Sequence, residues 1–91
     1  MKYLYEFYED CGRMGELNGI FVADEKDIEN LIGKNVYFGE VLGKHSDIDV
    51  DITKHNFIKQ DLDSETVEKV SKILGETWSG FNPVEMYYNG D

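Results

Sequence analysis

Strict alternation in the stretch "DIDVDI", residues 47–52, is the feature that most constrains the fold of this chain. Three aspartates, Asp47, Asp49 and Asp51, alternate there with isoleucine and valine. Because successive side chains of a strand point to opposite faces, this period predicts a strand with one buried apolar face and one acidic face in water. At the edge of a sheet, such an acidic row would also discourage aggregation through strand pairing.

Further stretches rich in apolar and β-favouring residues predict the partners of this strand. They cover residues 2–8, 20–23 and 35–43, and residues 56–60 either extend the 47–52 strand or form another one. Residues 9–19, between the first two strands, carry three glycines and an asparagine among charges, which indicates a long hairpin loop. Within the third strand, Gly39 indicates a bulge or a close backbone approach.

Two stretches have the apolar spacing of helices. In residues 24–33, Asp24 fits the N-cap position and Gly33 fits the left-handed position after the helix end. In residues 64–74, the apolar stripe falls on one face, with Gly75 as the terminator; its members are Val67, Val70, Ile73 and Leu74. The remaining tail contains Gly80 and Pro83 and is predicted to be irregular, with its aromatic side chains packed against the core.

The resulting order, β-β-α-β-β-(β)-α, predicts a single α+β domain over residues 1–91. We expect a mostly antiparallel sheet of four to five strands with two helices packed on it. A chain of this length builds one modest core and has little room for a deep, fully enclosed active site.

The charge of the chain limits its partners. Nineteen acidic and nine basic residues give a formal net charge of -10, and such a chain repels DNA and RNA at long range. A basic protein surface, including the nucleic-acid groove of another protein, is the favoured partner; the alternative is that the charge only aids solubility. The absence of a long apolar run predicts no membrane span, and the single cysteine, Cys11, fits a soluble protein of the cytoplasm.

The aspartate triplet resembles the start of a calcium loop but does not continue as one. Asp47, Asp49 and Asp51 match positions 1, 3 and 5 of an EF-hand loop, whereas Ile52 and Ile58 occupy positions that require Gly and Glu. On a strand, same-face residues are about 6.6 Å apart along the chain, too far for three carboxylates to close on one ion. The pattern therefore predicts no metal site, and no cofactor is expected.

The adjacent "GKHS" stretch offers an anion contact rather than a phosphate loop. The glycine spacing is wrong for a P-loop, and a strand instead of a helix follows. A looser anion-binding turn remains open, with Lys44, His45, Ser46 and Arg13 as donors.

No arrangement of residues in the chain predicts catalysis. Glu9 and Asp10 would raise the pKa of Cys11, which is the wrong direction for a reactive thiolate. Neither a nucleophile with a base and an orienting group nor an informative carboxylate pair stands out in so acidic a sequence. The chain is expected to be no enzyme.

Three stretches carry a resemblance to a known group of proteins: "YFGEVLGKHSDIDVDI" (37–52), "DCGRMGELNGIFVA" (10–23) and "GFNPVEMYY" (80–88). Together they resemble a family of small acidic proteins of unknown function from bacteriophages and mobile elements. The resemblance implies a setting, because small acidic phage proteins often bind and block host defence machinery, as anti-CRISPR proteins do. It assigns no functional residue.

Two functions from different classes follow as expectations. The first is a non-catalytic inhibitor that binds a basic host protein in the cytoplasm of the host cell through acidic side chains. Those side chains are Asp47, Asp49, Asp51, Asp61, Asp63, Glu65 and Glu68. The second is a binder that sequesters a nucleotide or cyclic nucleotide through the "GKHS" turn and Arg13, with a pocket completed at a homo-oligomer interface. An interaction module unrelated to defence is a third alternative.

Overall fold

The structure of the chain, a computed structural model, describes residues 1–43 and 47–89. Within that part, the chain forms strands and helices in the order β1 (Lys2–Asp10), β2 (Glu16–Asp24), α1 (Glu25–Leu31), β3 (Asn35–Gly39), β4 (Ile48–Asp51), β5 (Phe57–Lys59), α2 (Ser64–Leu74), β6 (Thr77–Gly80) and α3 (Pro83–Asn89). The predicted α+β class is confirmed, as is the order of the elements from β1 to α2. In the described ranges, no helix is long and apolar enough to cross a membrane.

The strands form two separate antiparallel sheets. A four-stranded sheet has the order β5-β1-β2-β6, and β3 pairs with β4 in a two-stranded hairpin. The strand predicted at 47–52 therefore belongs to a layer of its own rather than to the larger sheet. Residues 57–59 form a separate strand, which answers the question left open for residues 56–60.

The inner face of the four-stranded sheet carries the main core. Tyr5 lies opposite Phe21 in the β1–β2 register, and Phe7 stacks on Phe38 of the hairpin at a centroid distance of 5.7 Å. The apolar side of the hairpin and helices α1 and α3 cover this face. Burial of these aromatic and aliphatic side chains is the dominant stabilising term for such a fold.

Helix α2 covers part of the outer face. Its Val67 is fully buried against Leu4 of β1 and Val22 of β2, and Trp78 packs beside them. The predicted apolar stripe of α2 is thus buried at Val67, whereas Ile73 is 82% exposed.

The predicted long loop at residues 9–19 is wrong, because β2 already begins at Glu16. Gly19 lies inside this strand, and a Cβ there would collide with the backbone of Phe81. Glycine at this position therefore allows the chain after β6 to cross β2 closely, and strand pairing overrides the loop-like composition.

The irregular structure predicted for the tail is also wrong. Residues 77–80 add an edge strand to the sheet, and α3 begins at Pro83. The Asn82 side chain accepts hydrogen bonds from the N–H groups of Val84 and Glu85, at 3.1 and 3.2 Å. Asparagine as the cap followed by proline in the first turn is a standard way to begin a helix.

Candidate functional site

The β3–β4 hairpin displays the three aspartates as one row, which we call the acidic row: Asp47, Asp49 and Asp51. Its opposite side is apolar and buried, with Val36 and Val50 paired across the strands. The three aspartates are exposed. The alternation predicted from the sequence is therefore confirmed, because one face of the hairpin packs on the core and the other is left in water.

Two side chains of β3 hold the acidic row in place. The Asn35 amide donates hydrogen bonds to Asp49 Oδ2 at 2.8 Å and to Asp51 Oδ1 at 2.9 Å. The Tyr37 hydroxyl donates to Asp47 Oδ1 at 3.0 Å, and this hydrogen bond raises the pKa of Tyr37. Each carboxylate keeps further lone pairs that can accept a hydrogen bond from an incoming cation.

No ion pair within the described ranges involves the acidic row. The basic groups that form ion pairs do so elsewhere: Lys2 with Glu76, Lys59 with Glu25, Lys69 with Glu65, and the N-terminal amine with Asp24. The carboxylates of the row are therefore bound only by neutral donors among the described residues.

A bulge ends the regular part of the hairpin next to the row. The register shifts between Tyr37 and Gly39, and Gly39 has a φ of 81°. This confirms the bulge predicted at Gly39, since glycine tolerates the left-handed conformation that such a bulge requires.

The other predicted partner-binding residues lie on a different side of the molecule. Glu65 and Glu68 are exposed on α2, and Asp61 and Asp63 directly precede that helix. Because α2 packs on the outer face of the sheet and the hairpin packs on the inner face, the structure does not bring these four residues together with the acidic row.

The predicted anion contact is described only in part. Lys44, His45 and Ser46 lie outside the described residues, while Arg13 is exposed on a 3-10 turn, Gly12–Met14, between β1 and β2. A Cβ at Gly15 would lie 3.9 Å from the methyl groups of Leu42. The β1–β2 turn and the start of the β3–β4 connection therefore lie at the same end of the molecule.

A surface cavity of about 320 Å³, which the sequence did not predict, lies between β2 and α3. Its floor includes Val22 and Val84, and its acidic lining consists of Asp24, Asp27, Glu76 and Glu85. The one lysine in the lining, Lys2, is bound to Glu76 at 2.6 Å, and this contact raises the pKa of Lys2. So acidic a lining repels phosphate groups.

Metal-binding side chains and the thiol of Cys11 are the two remaining candidates for chemistry in the described part of the chain. No group of three or more His, Cys, Asp or Glu side chains there is arranged to hold a metal ion. Burial, helped by Glu9 and Asp10, raises the pKa of the Cys11 thiol. The predicted direction of that shift is confirmed, and it disfavours the reactive thiolate.

Comparisons of the chain with protein-family models, with curated proteins and with solved structures find no match. Function is therefore inferred from the acidic row, the cavity and the charges around them.

Proposed function

We propose that this protein is a non-catalytic inhibitor that binds a basic surface of a host protein through its acidic row. The bound surface is one that normally binds nucleic acid, and the protein would block it as a phage-encoded anti-defence protein does. The observation that carries the proposal is the exposed row itself: three carboxylates in line on one hairpin face, with no ion pair to a basic side chain in the described residues.

The anchoring of the row supports binding rather than solubility alone. Asn35 and Tyr37 fix the carboxylates before a partner arrives, so less side-chain freedom is lost on association. The Tyr37 ring is 57% exposed beside the row and offers its face to an arginine or lysine.

The net charge of -10 adds a second contribution. A field of this sign speeds the encounter with a basic surface and suppresses binding to nucleic acid itself. In this proposal, the acidic residues on α2 and just before it act through that long-range field, since α2 packs on the face of the sheet opposite the hairpin.

The proposal is tested with two variants that lose the same number of charges. In the hairpin variant, Asp47, Asp49 and Asp51 become Asn; in the control, Asp61 becomes Asn and Glu65 and Glu68 become Gln on the opposite side. Each is immobilised with the wild-type protein and exposed to a bacterial lysate, and captured proteins are identified by mass spectrometry.

We expect a basic nucleic-acid-binding protein to be captured by the wild type and by the control, and lost by the hairpin variant. The captured protein should also release its nucleic acid when the inhibitor is added. The affinity of the inhibitor for the captured protein should fall as the salt concentration rises. Equal capture by both variants, with circular dichroism showing both to be folded, would contradict the proposal.

The alternative, a nucleotide-binding protein, receives no support from the described cavity, because its acidic lining opposes phosphate. A thermal-shift screen with nucleotides and cyclic nucleotides separates the two functions, since a ligand raises the melting temperature in proportion to the logarithm of its concentration over Kd. A clear rise with any of these compounds would favour the alternative.

A further inference from the structure

The backbone of β4 has one side that is not used by the hairpin. The Ile52 N–H donates to the Lys34 carbonyl at 2.9 Å, and the Ile52 carbonyl accepts from the Gly33 N–H at 2.8 Å, so both backbone groups of Ile52 point to the β3 side of the hairpin. In an antiparallel ladder, hydrogen-bonded and non-hydrogen-bonded pairs alternate. In the register of this hairpin, Asp51 opposite Asn35 and Asp49 opposite Tyr37 are therefore non-hydrogen-bonded pairs.

Residues in such pairs direct their N–H and C=O groups away from the partner strand. The N–H and C=O groups of Asp49 and Asp51 thus point to the outer edge of β4. Within the described residues, β4 pairs with β3 alone, and no backbone hydrogen bond outside the ladder reaches Asp49 or Asp51. Two donors and two acceptors on this edge can accept a further strand.

The negative charge of the acidic row beside the outer edge of β4 determines which kind of strand can pair with that edge. If a second copy of this chain paired through the same edge, two rows of aspartate would lie together, and like charges on neighbouring strands are destabilising. An added strand with Lys or Arg at alternating positions would instead place each cation beside a carboxylate. Directly opposite side chains have Cβ atoms about 5 Å apart, within reach of an ion pair.

We infer that the outer edge of β4 is a strand-addition site for an extended basic segment of the partner protein. The segment pairs antiparallel with β4, its Lys or Arg side chains lie over the acidic row, and uncharged residues alternate with them. This inference rests on the proposed function and gives the chemistry of the partner segment, which that proposal leaves open.

The first test uses a synthetic peptide of about nine residues in which Arg and Thr alternate, long enough to span β4. In antiparallel addition, a residue opposite Asp49 or Asp51 points its own N–H toward β4. Methylation of the arginine backbone nitrogens should therefore weaken binding to the wild-type protein about tenfold or more, because hydrogen bonds across the edge are lost. Methylation of the threonine nitrogens, which point away, should leave the affinity within about twofold of the parent peptide.

The second test separates the backbone from the charge in the protein. Asp49→Ala and Asp49→Pro remove the same carboxylate, but only proline removes the outward N–H, and it leaves the β3–β4 hydrogen bonds in place. We expect Asp49→Pro to bind the parent peptide at least about fivefold more weakly than Asp49→Ala does. The two N-methylated peptides, used with the wild-type protein, decide the question if Asp49→Pro fails to fold.

Equal affinity for the two methylated peptides, or no binding of the parent peptide at low salt, would overturn strand addition. Neither result contradicts the proposed function, which is tested separately by the capture experiment with the hairpin variant and its control and by the thermal-shift screen. The inference is supported if methylation of the arginine nitrogens weakens binding and methylation of the threonine nitrogens does not.

Discussion

The two faces of the four-stranded sheet are covered in different ways. The inner face lies under the hairpin and two helices, and its aromatic side chains contact one another and the hairpin. The outer face lies under α2 alone, which buries a small cluster around Val67. Beside that cluster, Ile58 of β5 and Ile20 of β2 flank Glu6 in one row across the strands and stay exposed.

The difference shows what an apolar pattern establishes about burial. Alternation in β4 and the stripe in α2 are both regular, yet Ile48 is 2% exposed and Ile73 is 82% exposed. A strand in a hairpin presents its whole apolar face to the sheet below, whereas a helix that crosses a narrow apolar area buries only the turn that meets it. Periodicity predicts the apolar face, and the facing surface determines how much of it is buried.

The largest expected effect is on the inner face. Ile48→Ala removes buried carbons beneath the hairpin, and we expect the free energy of unfolding to fall by about 2–5 kcal/mol, the usual range for a buried isoleucine. Urea unfolding followed by circular dichroism measures the change. A loss below about 1 kcal/mol would mean that the hairpin is not packed as described.

The second-largest loss of stability is expected at alkaline pH, through Tyr5 on the inner face. Burial raises the pKa of Tyr5 to about 12, whereas an unfolded tyrosine titrates near pH 10. The unfolded chain therefore loses this proton first, and stability should fall between those pH values by up to about 1.4 kcal/mol per pH unit. Urea unfolding of the wild type and of Tyr5→Phe across this window isolates the contribution, and parallel curves would contradict it.

Tyr8 provides the matched control on the outer face. Its pKa is raised chiefly by the hydrogen bond that its hydroxyl donates to Glu16 at 2.7 Å, rather than by burial. In Glu16→Gln, an ultraviolet titration of the tyrosines should show the pKa of Tyr8 lowered and that of Tyr5 unchanged.

A smaller loss is expected from the outer cluster. Val67→Ala deletes two methyl groups that face Leu4 and Val22, and we expect a destabilisation of about 1–2 kcal/mol. The fluorescence of Trp78, the single tryptophan, reports on the same cluster during urea unfolding. A loss as large as that of Ile48→Ala would show the two faces to be equally important.

The smallest effect should come from the far end of α2. Ile73→Ala makes the same chemical change as Ile48→Ala at an exposed position, and we expect it to alter stability by less than about 0.5 kcal/mol. Urea unfolding of Ile73→Ala under the conditions used for Ile48→Ala measures the difference between the two positions. Destabilisation above about 1 kcal/mol would show that this side chain is covered in solution.

Much of the fold follows from local patterns, and the failures have physical causes. Asp24 caps α1 as predicted, by accepting from the Lys26 N–H at 3.0 Å, because capping depends on neighbouring residues alone. The first half of β2 is not predictable from local sequence, because Gly19 favours a loop unless the chain after β6 crosses β2 at that point. The tail is predicted to be irregular because Pro83 interrupts most helices and strands, whereas after the cap residue Asn82 it occupies the first turn of a helix.

The candidate site divides in the same way. The acidic row is predictable from the sequence because its spacing lies within one strand. The hydrogen bonds from Asn35 and Tyr37 that hold the row are not predictable in this way, because they depend on the register between two strands, which the alternation within one strand does not specify. The acidic cavity is lined by residues that are far apart in the sequence, so no local sequence pattern predicts it.

The strand order also has a consequence for the time course of folding. The β1–β2 hairpin is closed by a short turn, but it is completed on its sides by β5 and β6, from the other half of the chain. Hairpins form in about 1–10 µs, whereas contacts between distant segments wait for large loops to close. We therefore expect the central pair to form early and its outer strands to join late, so that the nascent sheet passes through a stage with both of its long edges uncovered.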